Sequence, residues 1–236
     1  MSKPVASPVQ KDPMGGHFQF KYSVIWESVP ILLVGIKLTI FITIFGLILG
    51  FSLGTLAGLA KSSKNKFLNR LAGAYIESIR GTPLMVQVLF LYFGLPLAIG
   101  VRVPPLAAGI VAIGLNSGAY IAEIVRGAIE SIDKGQTEAG RSIGLSHSQT
   151  LLYVIWPQAF RRMIPPLGNQ FIISLKDTSL LVVIGVGELT RQGQEIIATN
   201  FRAFEVWLTV AVMYFVLTMS IAKMLQYFER KMKIIK

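Results

Sequence analysis

Lys176 and Asp177 stand side by side in a stretch, residues 163–187, that holds no other charge and is rich in Leu, Ile, Val and Phe. Gln170, Ser174 and Asp177 follow at i, i+4 and i+7, one stripe of a helix. Asn116, Tyr120 and Glu123 repeat that spacing, and Glu77, Arg80 and Gln87 fall within about one face. The chemistry open to such residues is recognition. Asp177 can face an ammonium group, Gln170 can offer amide hydrogen bonds to a polar side chain, and Arg80 can take a carboxylate. A lining of both signs suits a zwitterion better than a simple cation or anion. Each stripe taken alone also fits interhelical hydrogen bonding, and Glu77 with Arg80 fits an i,i+3 ion pair. Three stripes together point to a lined path, with Asp177, Gln170, Ser174, Arg80, Glu77, Asn116 and Tyr120 as candidate lining residues.

Other chemistry finds little support. There is no cysteine, and His17 and His147 are far apart, so no metal site is expected. Glu188, Arg191, Gln192, Gln194 and Glu195 cluster after residue 187 and could suggest acid–base work, yet no histidine or cysteine accompanies them. They read better as an outer gate or a contact for another protein. The chain has no G-x-x-x-x-G-K-[ST] segment, so it cannot cradle ATP itself. It is expected to be no enzyme, with no cofactor of its own. Its energy must come from another polypeptide or an ion gradient.

The elements that must position these residues are membrane helices. The chain has 236 residues, 53% hydrophobic and 15% charged, against about 25% charged in soluble domains. About 20 apolar residues cross a bilayer. Five stretches qualify, roughly 31–60, 72–97, 104–126, 163–187 and 204–225. The fourth carries twelve Leu, Ile, Phe or Val residues, worth about −6 kcal/mol on insertion. Lys176 and Asp177 cost about +3 kcal/mol each, so this helix must face protein or water rather than lipid. In the first span Gly46, Gly50, Gly54 and Gly58 recur every fourth position, a face that lets another helix come close.

Charge sets orientation. Lys61, Lys64, Lys66 and Arg70 follow the first span, and Arg126, Lys134, Arg141, Arg161 and Arg162 border the third connection. Together with the basic C-terminal tail they outnumber Lys3, Lys11, Lys21, Arg102, Arg191 and Arg202 on the other side. The excess predicts a cytoplasmic C-terminus and an N-terminus outside. It also accounts for the net charge of +11 without nucleic acid. Residues 1–24 read as a flexible tail and 25–236 as the transmembrane domain.

The third connection, within residues 130–157, reads as helix, sharp turn, helix. Asp133 can N-cap the first helix with Gln136 in the reciprocal position, Gly144 suits a left-handed stop, and Ser146 can cap the second helix with Gln149. A short helical pair protruding from the membrane is a docking element for a partner.

Residues 138–157, EAGRSIGLSHSQTLLYVIWP, resemble the Glu-Ala-Ala loop of permease subunits of ATP-binding-cassette importers. Glu138, Ala139, Gly144 and Pro157 match that pattern, and Gly140 replaces its third residue, at an expected helix cost of about 1 kcal/mol against Ala. The runs at 77–96, 116–127 and 176–196 are similar to polar amino-acid permeases, and 161–180 to glutamine permeases. The resemblance implies a bacterial inner-membrane importer for polar amino acids, glutamine among them. It implies a second permease subunit, identical or related, two ATPase subunits that hold ATP and Mg, and an extracytoplasmic solute-binding protein. Glu138, Ala139, Gly140, Arg141 and Gly144 would then couple to the ATPase. From the residues alone, a secondary transporter or channel driven by an ion gradient remains the alternative, although five spans do not divide into equal repeats.

Overall fold

The computed structural model describes residues 20–231. Every regular element among them is helical: α1 (Tyr22–Lys61), α2 (Lys66–Arg80), α3 (Leu84–Ile99), α4 (Pro105–Glu130), α5 (Lys134–Ser142), α6 (His147–Ile184), α7 (Leu189–Asn200) and α8 (Ala203–Lys231). Helices α1, α4, α6 and α8 are each long and apolar enough to cross a membrane, and α2 with α3 passes the same test only as a bent pair, a broken span or a re-entrant loop. The structure thus holds four spans, or the five that composition predicts when the bent pair is counted as one.

The expected continuous helix over 72–97 is not one helix. Its two halves, α2 and α3, are bent by 103°. Gly81, Thr82 and Pro83 separate them. Proline cannot donate to the α2 ladder and disfavours helical backbone at Thr82 before it. The fourth span is longer than 163–187, because α6 begins at His147 and absorbs the second helix of the expected protruding pair. Helix α1 begins at Tyr22, so residues 22–24 are helical rather than tail. The expectation of flexibility for residues 1–19 lies outside the described residues.

Two widened π turns, Phe90–Gly94 in α3 and Leu151–Ile155 in α6, precede Pro96 and Pro157. A proline ring collides with the carbonyl four residues earlier, here Tyr92 and Tyr153, and the wider turn makes room for it.

The glycine face of α1 lies against α4. A Cβ at Gly54 would stand 2.6 Å from the Gly118 carbonyl oxygen, and one at Gly58 would stand 2.6 Å from that of Ala122. The two helices touch at Gly46, Gly50, Gly54 and Gly58, which gives dispersion contacts where lipid offers no hydrophobic drive. Tyr75 of α2 clamps the same helix by donating its hydroxyl to the Leu115 carbonyl at 2.7 Å. Apolar clusters stack along the bundle. One joins Ile42, Val88, Ala112 and Leu181, and another joins Ile121, Val125, Ile155 and Met163. On α4, Asn116 and Tyr120 fall between these two levels, so the polar layer is sandwiched by apolar ones.

Candidate translocation cleft and coupling turn

Asn116 and Tyr120 of α4, Gln170 and Asp177 of α6, and Arg80 at the end of α2 line one cleft of about 580 Å³. Thr82 and Pro83, from the break between α2 and α3, complete its wall. Helical spacing put Gln170 with Asp177 and Asn116 with Tyr120, and the packing of α4 and α6 brings those faces together, whereas the expected Glu77–Arg80–Gln87 face is broken by the 103° bend and only Arg80 reaches the cleft. Ser174 sits beneath the lining. It is buried and accepts a hydrogen bond from Gln170 Nε2 at 3.2 Å. That contact fixes the amide and leaves its Oε1 for another partner.

The break itself is held by Gln87. Where α2 stops, its last carbonyls lose their helical partners. Gln87 Nε2 donates to the Ile79 and Thr82 carbonyls at 2.7 and 3.0 Å, and its Oε1 accepts from Asn116 Nδ2 at 3.0 Å. Gln87 therefore ties the bend to the cleft.

Glu77 is not in the cleft, and it does not pair with Arg80. Its carboxylate lies 3.7 Å from Lys61 Nζ. Arg80 instead lies 3.6 Å from Glu123 and 5.3 Å above the centre of the Tyr120 ring. Lys61, Glu77, Arg80, Glu123, Arg126 and Glu130 line a second, ionic cavity of about 400 Å³. It lies toward the end of α4 that leads into α5.

At that end, Asp133 caps α5 by accepting from the Gly135 amide at 2.7 Å. Gln136 does not complete the expected reciprocal bond. Its side chain accepts from Gln158 of α6 at 3.2 Å, which braces α5 against α6. Gly144 has φ of 90°. The Leu145 amide donates to the Gly140 carbonyl and the Gly144 amide to that of Arg141, the paired bonds of a left-handed helix stop. Ser146 and Gln149 then form a full capping box at 3.2 and 2.8 Å. Glu138, Ala139, Arg141 and Gly144 are exposed along the turn, whereas Gly140 is buried. A Cβ on Gly140 would meet Thr150 Cγ2 at 2.7 Å. Close approach, not helix propensity, thus governs that position. Ile143, 77% exposed at the tip, was missed from sequence. Its signal was an aliphatic residue placed directly before a left-handed glycine. Thr82 and Pro83 were missed too, although Gly-Thr-Pro is a plain helix-breaking run.

The cluster after residue 187 divides. Glu188 is fully buried and caps α7, accepting from the Thr190 and Arg191 amides at 2.9 and 2.8 Å and from the Tyr214 hydroxyl at 2.9 Å. Burial pushes its carboxyl above the ordinary glutamate value, and these hydrogen bonds pull it back. Arg191 and Glu195 pair on the surface at 2.9 Å.

Residues 46–234 match the family described as binding-protein-dependent transport system inner membrane component. The chain belongs to that family. It is 55% identical over 218 residues to the glutamine transport system permease protein of Escherichia coli, covering 92% of this chain and all of that one. It is 42% identical over 204 residues to the L-cystine transport system permease protein of Bacillus subtilis, covering 86% and 87% of the two chains. Among solved structures it resembles an amino acid transporter of the ATP-binding-cassette class crystallised with histidines, at 39% identity and a TM-score of 0.86 over 91% of this chain and all of that one. The chain is thus a multi-pass inner-membrane permease of an importer, and the ion-gradient alternative falls away.

Proposed function

We propose that this permease carries glutamine, or a closely related polar amino acid, in an importer driven by ATP hydrolysis on separate ATPase subunits. One observation carries the reading: a single cleft gathers Arg80, Asn116, Tyr120, Gln170 and Asp177 from three helices, between two apolar clusters. Ionisable groups within a membrane are costly and persist where they meet a solute path or one another. Asp177 faces the substrate ammonium, the Gln170 amide pairs with the side-chain amide, and Arg80 takes the carboxylate. The relatives named for glutamine and cystine transport support the amino-acid class.

Two ATPase subunits holding ATP and Mg, a second permease subunit and a solute-binding protein complete the importer. The exposed turn of Glu138, Ala139, Arg141, Ile143 and Gly144, with Gly140 beneath it, docks on an ATPase. Nucleotide-driven closure there shifts the cleft between its two openings. The orientation that the basic connections predict puts this turn in the cytoplasm.

The test is the purified importer with its ATPase and binding protein. Glutamine should stimulate ATP hydrolysis more than arginine, histidine or glutamate does, and uptake should survive collapse of the proton gradient. Stimulation by none of the four, or uptake that needs only the gradient, would overturn the reading.

A further inference from the structure

Arg80 alone, among the described residues, lines both the Gln170–Asp177 cleft and the ionic cavity beside it. We infer that Arg80 is a gate that exchanges partners: it closes the path by leaning on Glu123, and it opens the path when the carboxylate of the solute draws it into the cleft. The inference rests on the proposal that the cleft receives an amino acid.

The geometry makes the exchange cheap on the Glu123 side. Arg126 donates to Glu123 at 2.7 and 3.2 Å and continues to Glu130 at 2.6 Å. Arg80 approaches the same carboxylate at only 3.6 Å, beyond hydrogen-bond reach. When Arg80 leaves, Glu123 keeps its stronger partner, and no isolated charge is left behind.

Arg80 meanwhile has donors to give. It makes no side-chain hydrogen bond to the described residues, and its guanidinium rests over Tyr120, itself a cleft residue. A carboxylate can take two parallel bonds from that fork, which the present contact with Glu123 does not. The aromatic face gives the cation a surface to slide along without losing all stabilisation.

Position adds a link to the rest of the protein. Arg80 is the last residue of α2, directly before the break at Gly81–Pro83. Glu123 sits on α4, whose end is tied to α6 where Arg162 donates to the Ser131 hydroxyl at 3.0 Å. A shift of α4 against α2, originating at the α5–α6 turn, would therefore change the separation of Arg80 and Glu123.

Arg80→Ala and Glu123→Gln are compared with the wild type in the complete importer, reconstituted in proteoliposomes, with assembly checked by size-exclusion chromatography. Preloaded glutamine should escape without ATP about tenfold faster in both variants. The second readout is competition between L-glutamine and its α-carboxamide. Wild type and Glu123→Gln should prefer the carboxylate by about tenfold or more, the scale of a charge-assisted bond. Arg80→Ala should lose that preference. Should either single variant fail to assemble, Arg80→Lys decides: its charge still leans toward Glu123 and closure is kept, while loss of the two-pronged fork lowers the carboxylate preference. A Glu123→Gln importer as tight as wild type, or an unchanged preference in Arg80→Ala, overturns the gate. Wild-type glutamine transport is measured first. Its absence fails the substrate reading alone, and the leak comparison is then run with whichever amino acid stimulates ATP hydrolysis.

Discussion

Asn116 donates to Gln87 across 3.0 Å, and the same Gln87 amide holds the carbonyls of Ile79 and Thr82. One side chain thus joins the cleft wall on α4 to the bend between α2 and α3. Gln87→Leu keeps the volume and removes every bond. It should leave the Asn116 amide and the Thr82 carbonyl without this partner, at about 1–3 kcal/mol for each group that stays dry, while the Ile79 carbonyl keeps the Thr82 hydroxyl at 3.4 Å. A lower thermal midpoint and a transport rate reduced more than substrate affinity are expected. Wild-type thermal stability in Gln87→Leu would show that water replaces the amide.

Gly140→Ala should destabilise the α5–α6 turn even though alanine gains about 1 kcal/mol in helix propensity. The new Cβ would meet Thr150 at 2.7 Å, and Thr150 is buried on a helix that cannot easily retreat. Overpacking of this kind costs about 1–3 kcal/mol. The double variant Gly140→Ala with Thr150→Ser removes the opposing methyl and should recover most of the loss. Hydrogen exchange of amides 141–146 measures it.

Glu138→Lys and Ile143→Asp act on the exposed side of the same turn and should leave the fold intact. Both should abolish substrate-stimulated ATP hydrolysis while the permease keeps its melting temperature. Pull-down of the ATPase subunit distinguishes lost docking from lost coupling. Full stimulation in both variants would remove the turn from the coupling path.

Gly54→Val tests the α1–α4 contact. Its side chain has no space, since a Cβ alone would stand 2.6 Å from the Gly118 carbonyl and 2.7 Å from Ile121 Cβ. Helix separation and a loss of at least about 3 kcal/mol follow, beyond the ordinary overpacking range because the opposing atoms include backbone. The change reads as reduced yield of folded permease in detergent. Gly54→Ala should fall between the two.

Gln170→Glu adds a second carboxylate to the wall that already carries Asp177. The cleft should then favour solutes with cationic side chains. Competition assays should show arginine or lysine gaining on glutamine by about tenfold, near 1.4 kcal/mol. Unchanged ranking would mean that Gln170 does not meet the substrate side chain.

Local sequence settled what depends on neighbours along one helix. Apolar length located the spans along the chain, though neither the break at Gly81–Pro83 nor the start of α6 at His147, small residues at fourfold spacing marked the face of α1 that packs, and Gly144 with Ser146 and Gln149 marked the turn, because backbone sterics and capping bonds act within a few residues. Spacing also grouped Gln170 with Asp177 and Asn116 with Tyr120. It did not determine which charges pair across helices. Glu77 and Arg80, three residues apart, look like natural partners, yet the fold sends one to Lys61 and the other to Glu123. The bend of 103° after Arg80 and the close approach of α1 to α4 decided that, since the direction in which a chain folds back is set by packing over the whole bundle. Gly140 makes the same point: its helix propensity is local, but the Thr150 methyl group that occupies the space beside it arrives from another helix.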